Sequence, residues 1–408
     1  MKIRSITCFI DPRHNSENKG MRRLAEFCGD ARERLASAGI EVETTRISTP
    51  PFPKLVESQD SSAASSFVQS FSSAASAAGF DHSSCGPALP DFPASQEHVA
   101  DLLALSPDVF LGSVIADQSF IYPGAIRAAA RTIQAASTLD PNGFTNLQFA
   151  ALANTRPYGP FYPGSYGVID ENSAFSLAVE CADVALAAFQ KDLPLAQQRA
   201  WLLATLEAFA AQVESLLQPS VDEYSITFKG FDFSPAPYPE PGCSLGSAVE
   251  ALGVELGRTG TVAAAAVIAD TLCQGNWKRA GYNGLMLPVL EDSLLAQRAA
   301  EGKLHVQDLL LFSAVCGTGL DTVPLPGDLT VEEIGAILWD VAALAVRLGK
   351  PLTARLMPIP GKKAGDPTHF NFGYFANSRI IACEGQKVRP PLDSDAPIPL
   401  TPRLPNCH

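Results

Sequence analysis

Strand-like and helix-like hydrophobic periods take turns along this chain, and that alternation constrains its fold more than any other feature. From Ile3 to Ile10, Ile6, Cys8 and Ile10 share one face while Thr7 and Phe9 share the other. Met21 to Ala38 then follows helical spacing until Gly39, and Ile40 to Ile47 alternates again. Ser58 to Ala78 is rich in Ser and Ala, but Phe67, Val68, Phe71, Ala75 and Ala78 recur at helical intervals, which predicts a helix with a small-residue packing face. Further strands are predicted over Asp108–Ile115, Asn146–Asn154, Tyr224–Phe233, Asn283–Leu290 and Leu352–Met357. Helices are predicted over Gly124–Ala136, Leu193–Leu217 (with Pro219 after its end), Ser247–Gly257, Thr261–Cys273 and Thr330–Leu348. The last carries a capping box, Thr330 with Glu333, and a Gly349 stop. About eight to ten strands separated mostly by helices imply an α/β protein with a mainly parallel sheet covered by helices.

Composition narrows the class. Apolar residues make up 46% of 408 and charged ones 18%, enough for a large core and against wholesale disorder. A formal charge of -13 disfavours nucleic acid and anionic membranes as partners unless a local basic patch overrides it. The apolar stretch after Lys2 and Arg4 is too short for a secretory signal. The run Val262–Ala269 falls far short of the roughly 20 residues of a membrane span. Nine cysteines without a C-x-x-C pair read as reduced thiols, so a cytoplasmic protein is expected. From residue 387 six prolines forbid helix and central strand, so residues 1–385 are expected to form one domain and 386–408 an extended surface tail.

Candidate chemistry gathers in three segments. In Ser313–Asp328, read as a loop, Gly317 and Gly319 would let backbone N–H groups approach a ligand, Cys316 would be a nucleophile, and Asp321 would orient a substrate. A buried inert thiol and a glycine turn are the alternative. In Arg355–Asp366 a strand end precedes the Gly-flanked pair Lys362 and Lys363, suited to a carboxylate or phosphate, or merely a solvated turn. In Lys229–Pro237, Asp232 is a candidate base or acceptor beside Lys229 and Ser234, unless Asp232 and Ser234 only organise the turn before Pro235. Gly242–Gly246 matches G-x-S-x-G, but four prolines separate it from the preceding strand, so Ser244 or Ser247 is read as a helix cap. The six histidines lack metal-ligand spacing, so no metal is expected, and His14 is the one placed best to reach a pocket. No cofactor is indicated.

Phe228–Pro237, Cys316–Asp328, Ala354–Asp366 and Tyr374–Ser378 together resemble an uncharacterised family, domain of unknown function 711, over most of residues 1–385. The resemblance implies a ten-stranded α/β barrel of the pyruvate formate-lyase-like kind. Two five-stranded parallel halves would meet antiparallel around a central loop, with Cys316 where that superfamily keeps its radical-carrying thiol. The segment Phe370–Tyr374 lacks the Arg-Val and hydroxyl residues of the glycyl radical signature, so the resemblance does not extend to radical storage at Gly373. The expectation is an enzyme acting on a small polar or anionic metabolite inside the barrel, in a homodimer or higher homo-oligomer. Its rivals are a non-catalytic metabolite-binding protein, a structural homo-oligomer and a serine hydrolase.

Overall fold

The computed structural model describes residues 1–14, 19–58 and 60–403. Its strands are β1 (Lys2–Phe9), β2 (Val42–Ser48), β3 (His82–Ala88), β4 (Val109–Ala116), β5 (Phe120–Ile121), β6 (Phe149–Ala153), β7 (Ala174–Glu180), β8 (Thr227–Asp232), β9 (Gly319–Pro326), β10 (Leu352–Ile359) and β11 (Ile398–Pro399). All belong to one mixed sheet whose main path runs β8, β7, β1, β2, β3, β4, β6, β10, β9. The central strands β1, β2, β3, β4 and β6 are mutually parallel. β7 and β10 turn antiparallel at the two ends of that block, and each carries a parallel neighbour, β8 and β9.

The path is not closed by a regular ladder. Instead the segment between β8 and β9 makes one parallel bridge to each, Arg279 to Phe231 and Pro288 to Asp321. The expected strand Asn283–Leu290 is therefore irregular. Its backbone is held by side chains: Asp232 accepts from the N–H groups of Tyr282 (2.8 Å) and Asn283 (3.0 Å), and Asn283 donates to Phe231 O (3.0 Å).

The segment read as a loop around Cys316 is in large part strand β9, buried at every position. Glycine and proline suggested a loop, but β9 ends the continuous path, and a strand with one unladdered side tolerates Pro324 and Pro326. Its register against β10 slips between Ala354 and Leu356, so that Asp321 and Thr322 both lie opposite Arg355. This is a β-bulge, and Thr322 within it has a left-handed φ of 42°.

Most of the expected helices form and cover the sheet, but the one expected over Ser247–Gly257 spans Leu245–Glu250 and gives way to turns after it. The Ser/Ala-rich segment forms Ser61–Ala78, capped by Asp60 accepting from Ala63 N–H and ended by Gly79 at φ 97°. Val331–Leu348 has the predicted capping box. Leu195–Tyr224 runs through Pro219, which faces solvent, while on its buried side Ser220 Oγ donates to Asp30 (2.5 Å). That helix is long and apolar enough to cross a membrane by length and composition, yet it buries the stripe Leu202, Leu206, Phe209, Val213 and Leu217 and exposes Glu214, Asp222 and Glu223. β3 and β7 were not anticipated, because β3 is made of small and polar residues and β7 follows a long irregular stretch. In the tail, β11 pairs with β5, and Arg127 binds Asp393 (2.5 Å) and Asp395 (2.8 Å).

Gly319 has φ 98°, and a Cβ there would stand 2.2 Å from the Thr353 carbonyl oxygen. Gly319→Ala should cost roughly 2–4 kcal/mol of stability from backbone strain and overpacking, read by urea denaturation. A loss within about 0.5 kcal/mol, the range of ordinary surface substitutions, would contradict this packing.

Candidate functional site

Strands from across the sheet bring side chains to one cavity of about 470 Å³. Arg4 comes from β1, Glu43, Thr44 and Arg46 from β2, His82 from β3, Phe110 from β4 and Arg355 from β10. Asp232 lines it from the end of β8, and Ser234, Met286 and Glu291 from the stretch between β8 and β9. Aromatic rings of Phe110, Phe144, Phe161, Tyr162, Phe372 and Tyr374 supply much of the remaining wall. Exposed Pro107 and Leu139 mark the mouth. An apolar cleft with a few converging charges is the usual form of a small-molecule site.

Most of those charges are already paired. The bulge on β9 turns Asp321 onto Arg355, whose Nε donates to Asp321 Oδ1 at 2.5 Å. Arg355 Nη2 donates to Glu291 Oε1 (2.7 Å), and the other Glu291 oxygen accepts from Arg4 Nη2 (2.7 Å). A chain of four charges, buried at Asp321, Arg355 and Glu291 and half-buried at Arg4, thus joins β9, β10, the segment before 293 and β1. Burial pushes the Asp321 carboxyl up against the opposing pull of Arg355. Beside Arg4, Lys2 holds Glu43 and lies 3.5 Å from Glu180. Burial first, and then the neighbouring Glu43 charge, raise the Glu180 carboxyl to about 7.

Arg46 is different. Among the described residues it makes no ion pair; its Nε donates to Thr44 Oγ1 (3.0 Å), and its guanidinium lies over the Tyr162 ring at 5.1 Å. Burial, and then the Arg4 charge, lower it to about 10, still far above neutrality. Next to it His82 is lowered to about 4 by burial and then by the Arg46 charge, so its ring is neutral at physiological pH. Its Nδ1 is buried without a hydrogen-bond partner. A cation held over an aromatic face and left without a carboxylate is a ready receptor for an anion.

The residues singled out in the sequence separate into groups. Asp232, Ser234 and Arg355 line the cavity, and Asp321 reaches it only through Arg355. Asp232 spends its oxygens on Ser234 N and Oγ (2.9 and 2.6 Å) and on the 282–283 backbone, and burial raises its carboxyl despite them. Lys229 binds Glu171 (3.0 Å) and is not part of the lining. Lys362 and Lys363 sit on the turn after β10, outside the lining, with the Lys363 N–H donating to Asp366. Cys316 is buried in the main core and does not line the cavity. Gly317 and Gly319 permit close backbone crossings: a Cβ on Gly284 would stand 2.3 Å from Gly317 Cα. Ser244 caps the helix Leu245–Glu250 and donates to Asp292 (2.7 Å). The side chain of His14 lies outside the described residues. Sequence reasoning missed Arg46, His82, Arg4 and Glu43. The available signal was a charged residue inside a strand of a sheet covered by helices, where both faces are buried.

Comparison with known proteins adds kinship without activity. The family described as "Uncharacterised ACR (DUF711)" matches residues 1–373. A UPF0210 protein of Pyrobaculum arsenaticum is 35% identical over 59% of this chain and 55% of its own length. One of Pyrobaculum aerophilum is 37% identical over 54% of this chain and 51% of its own length. One of Acetivibrio thermocellus is 28% identical over 86% of this chain and 82% of its own length. The chain thus spans about half the length of the two Pyrobaculum relatives.

Two stability tests follow from the charges. Arg355→Met keeps the side-chain bulk but strands Asp321 and leaves Glu291 with Arg4 alone, so it should cost about 3–5 kcal/mol in denaturant melts, with Arg355→Lys intermediate; a loss below about 1 kcal/mol, the scale of an exposed ion pair, would contradict the buried chain. Glu180 holds its proton more tightly folded than unfolded, so its contribution is full below the ordinary carboxylate range and is lost as pH rises through about 7. Wild type should therefore lose stability relative to Glu180→Gln across that window in paired thermal melts. A difference independent of pH would refute the raised carboxyl.

Proposed function

The chain belongs to the uncharacterised DUF711 family, and for this member we propose that the cavity binds a small organic anion, with Arg46 holding the acid group. The observation that carries this is the guanidinium of Arg46 on the cavity wall without an ion pair among the described residues, while Arg4 and Arg355 are committed to Glu291 and Asp321. A polar anion from solution exchanges water for a charge-assisted, two-pronged contact there, and the aromatic wall takes the rest of the molecule.

The reading is of an enzyme, because Glu43 on the cavity wall shares Lys2 with Glu180, which stands behind it outside the lining. The Glu180 proton exchanges near neutral pH, as acid-base chemistry requires. In the same reading the irregular segment bridged to Phe231 and Asp321 stands as the tenth strand of a barrel, and the cavity is its interior. Asp232 and Ser234 shape that segment rather than act on the ligand, and thiol chemistry at Cys316 has no part. A binding protein without turnover is the second reading; it shares the cavity and differs only in the carboxyl pair being inert.

A thermal-shift panel of organic carboxylates and phosphates at millimolar concentration tests the binding reading. At least one should stabilise wild type, and Arg46→Met should weaken that compound by more than about tenfold, the measure of one lost charge-assisted contact. Equal affinity in both proteins would rule Arg46 out as the anion receptor.

A further inference from the structure

The charges around Arg46 say how much negative charge the ligand carries. We infer that the cavity selects a monocarboxylate with a flat apolar body over a dianion such as a phosphate monoester; the inference rests on the anion reading above and names its substrate class.

Among the described residues, Arg46 is the one cation on the wall left open. Arg4 and Arg355 share both oxygens of Glu291, and Lys2 serves Glu43 and Glu180. A first negative charge placed at Arg46 is compensated. A second would find no further cation and would face Glu43, with Asp140 on the way in. Asp140 is fixed there by accepting from the backbone N–H groups of Asn142 (2.8 Å) and Phe144 (3.3 Å). Like charges at short range in a partly dry site cost far more than in water. The second charge of a dianion is therefore left uncompensated on this wall.

The shape of the head group points the same way. Arg46 lies over the Tyr162 ring, which packs against Phe110 with centroids 5.3 Å apart, and Phe110 meets the neutral His82 edge-on at 5.1 Å. A planar carboxylate meets a guanidinium with two parallel hydrogen bonds in one plane, which suits a head group seated among the Tyr162 and Phe110 rings. Beyond it Phe144, Phe161 and Phe372 offer faces and edges to a flat apolar body.

The test uses three probes of one shape: benzoate, phenyl phosphate (a dianion at about pH 7.5, since the second phosphate pKa is near 6) and neutral benzamide. Each is titrated at millimolar concentration into the full chain and read by saturation-transfer NMR. Benzoate should bind at least tenfold tighter than either of the others, and Arg46→Met should bring it down to the level of benzamide. Glu43→Gln should raise the affinity for phenyl phosphate several-fold and so narrow the gap. If phenyl phosphate binds as tightly as benzoate, or tighter, and loses that affinity in Arg46→Met, the monocarboxylate class is wrong while the anion site stands. If Glu43→Gln leaves phenyl phosphate unchanged, Glu43 is not the excluding charge and the inference falls. If benzoate binds equally well to wild type and Arg46→Met, or none of the three binds, the anion reading itself fails.

Discussion

The ion chain from Asp321 through Arg355 and Glu291 to Arg4 is what the site depends on. It links β10 and β9, at one end of the sheet path, to β1, third from the other end, through a segment with almost no ladder of its own. Buried ion pairs contribute little net stability, because desolvation offsets attraction, but an incomplete one is very costly. A chain of four charges therefore acts as a register lock: the β9 bulge, the irregular segment and β1 must all be in place for every charge to be met. By using up Arg4 and Arg355, the chain also leaves Arg46 as the open cation of the cavity.

Much of the fold was legible because its signals are local. Thr330 with Glu333, Gly349 and the spacing of Phe67, Val68 and Phe71 act within one turn of helix, and the structure places helices there. The strand alternation around Ile6 and Ile47 was equally direct. The misreadings arose where tertiary contacts outrank local preference. β9 carries Gly319, Pro324 and Pro326 and looks like a loop, but it sits at the end of the path against β10. Asn283–Leu290 looks like a strand, but Asp232 and Asn283 replace its ladder with side-chain bonds. Pro219 looks like a helix stop, but its exposed position leaves the freed carbonyl to water while Ser220 anchors the last turn.

The candidate site was half legible for a related reason. Unusual segments drew the eye to Asp232, Asp321 and Arg355, which do gather around the cavity, but largely to shape it. The glycines near Cys316 have a packing explanation: Gly317 lies against Gly284, and Gly319 against Thr353. Arg46 and His82 sit in plain strands with no special neighbours in sequence. Their importance appears only when the partners of every other charge are known, which is a property of the folded chain. Membership of an uncharacterised family adds no activity to that account.

The most direct check is to see where an acid group settles. Crystals soaked in 4-bromobenzoate and measured at the bromine edge locate the halogen by its anomalous signal and the carboxylate by its density. The account predicts one ordered molecule inside the cavity, its carboxylate within hydrogen-bond distance of Arg46 and its ring among the aromatic side chains. A molecule whose carboxylate instead displaces Glu291 from Arg355, or bromine found on the protein exterior with the cavity holding water alone, would contradict it.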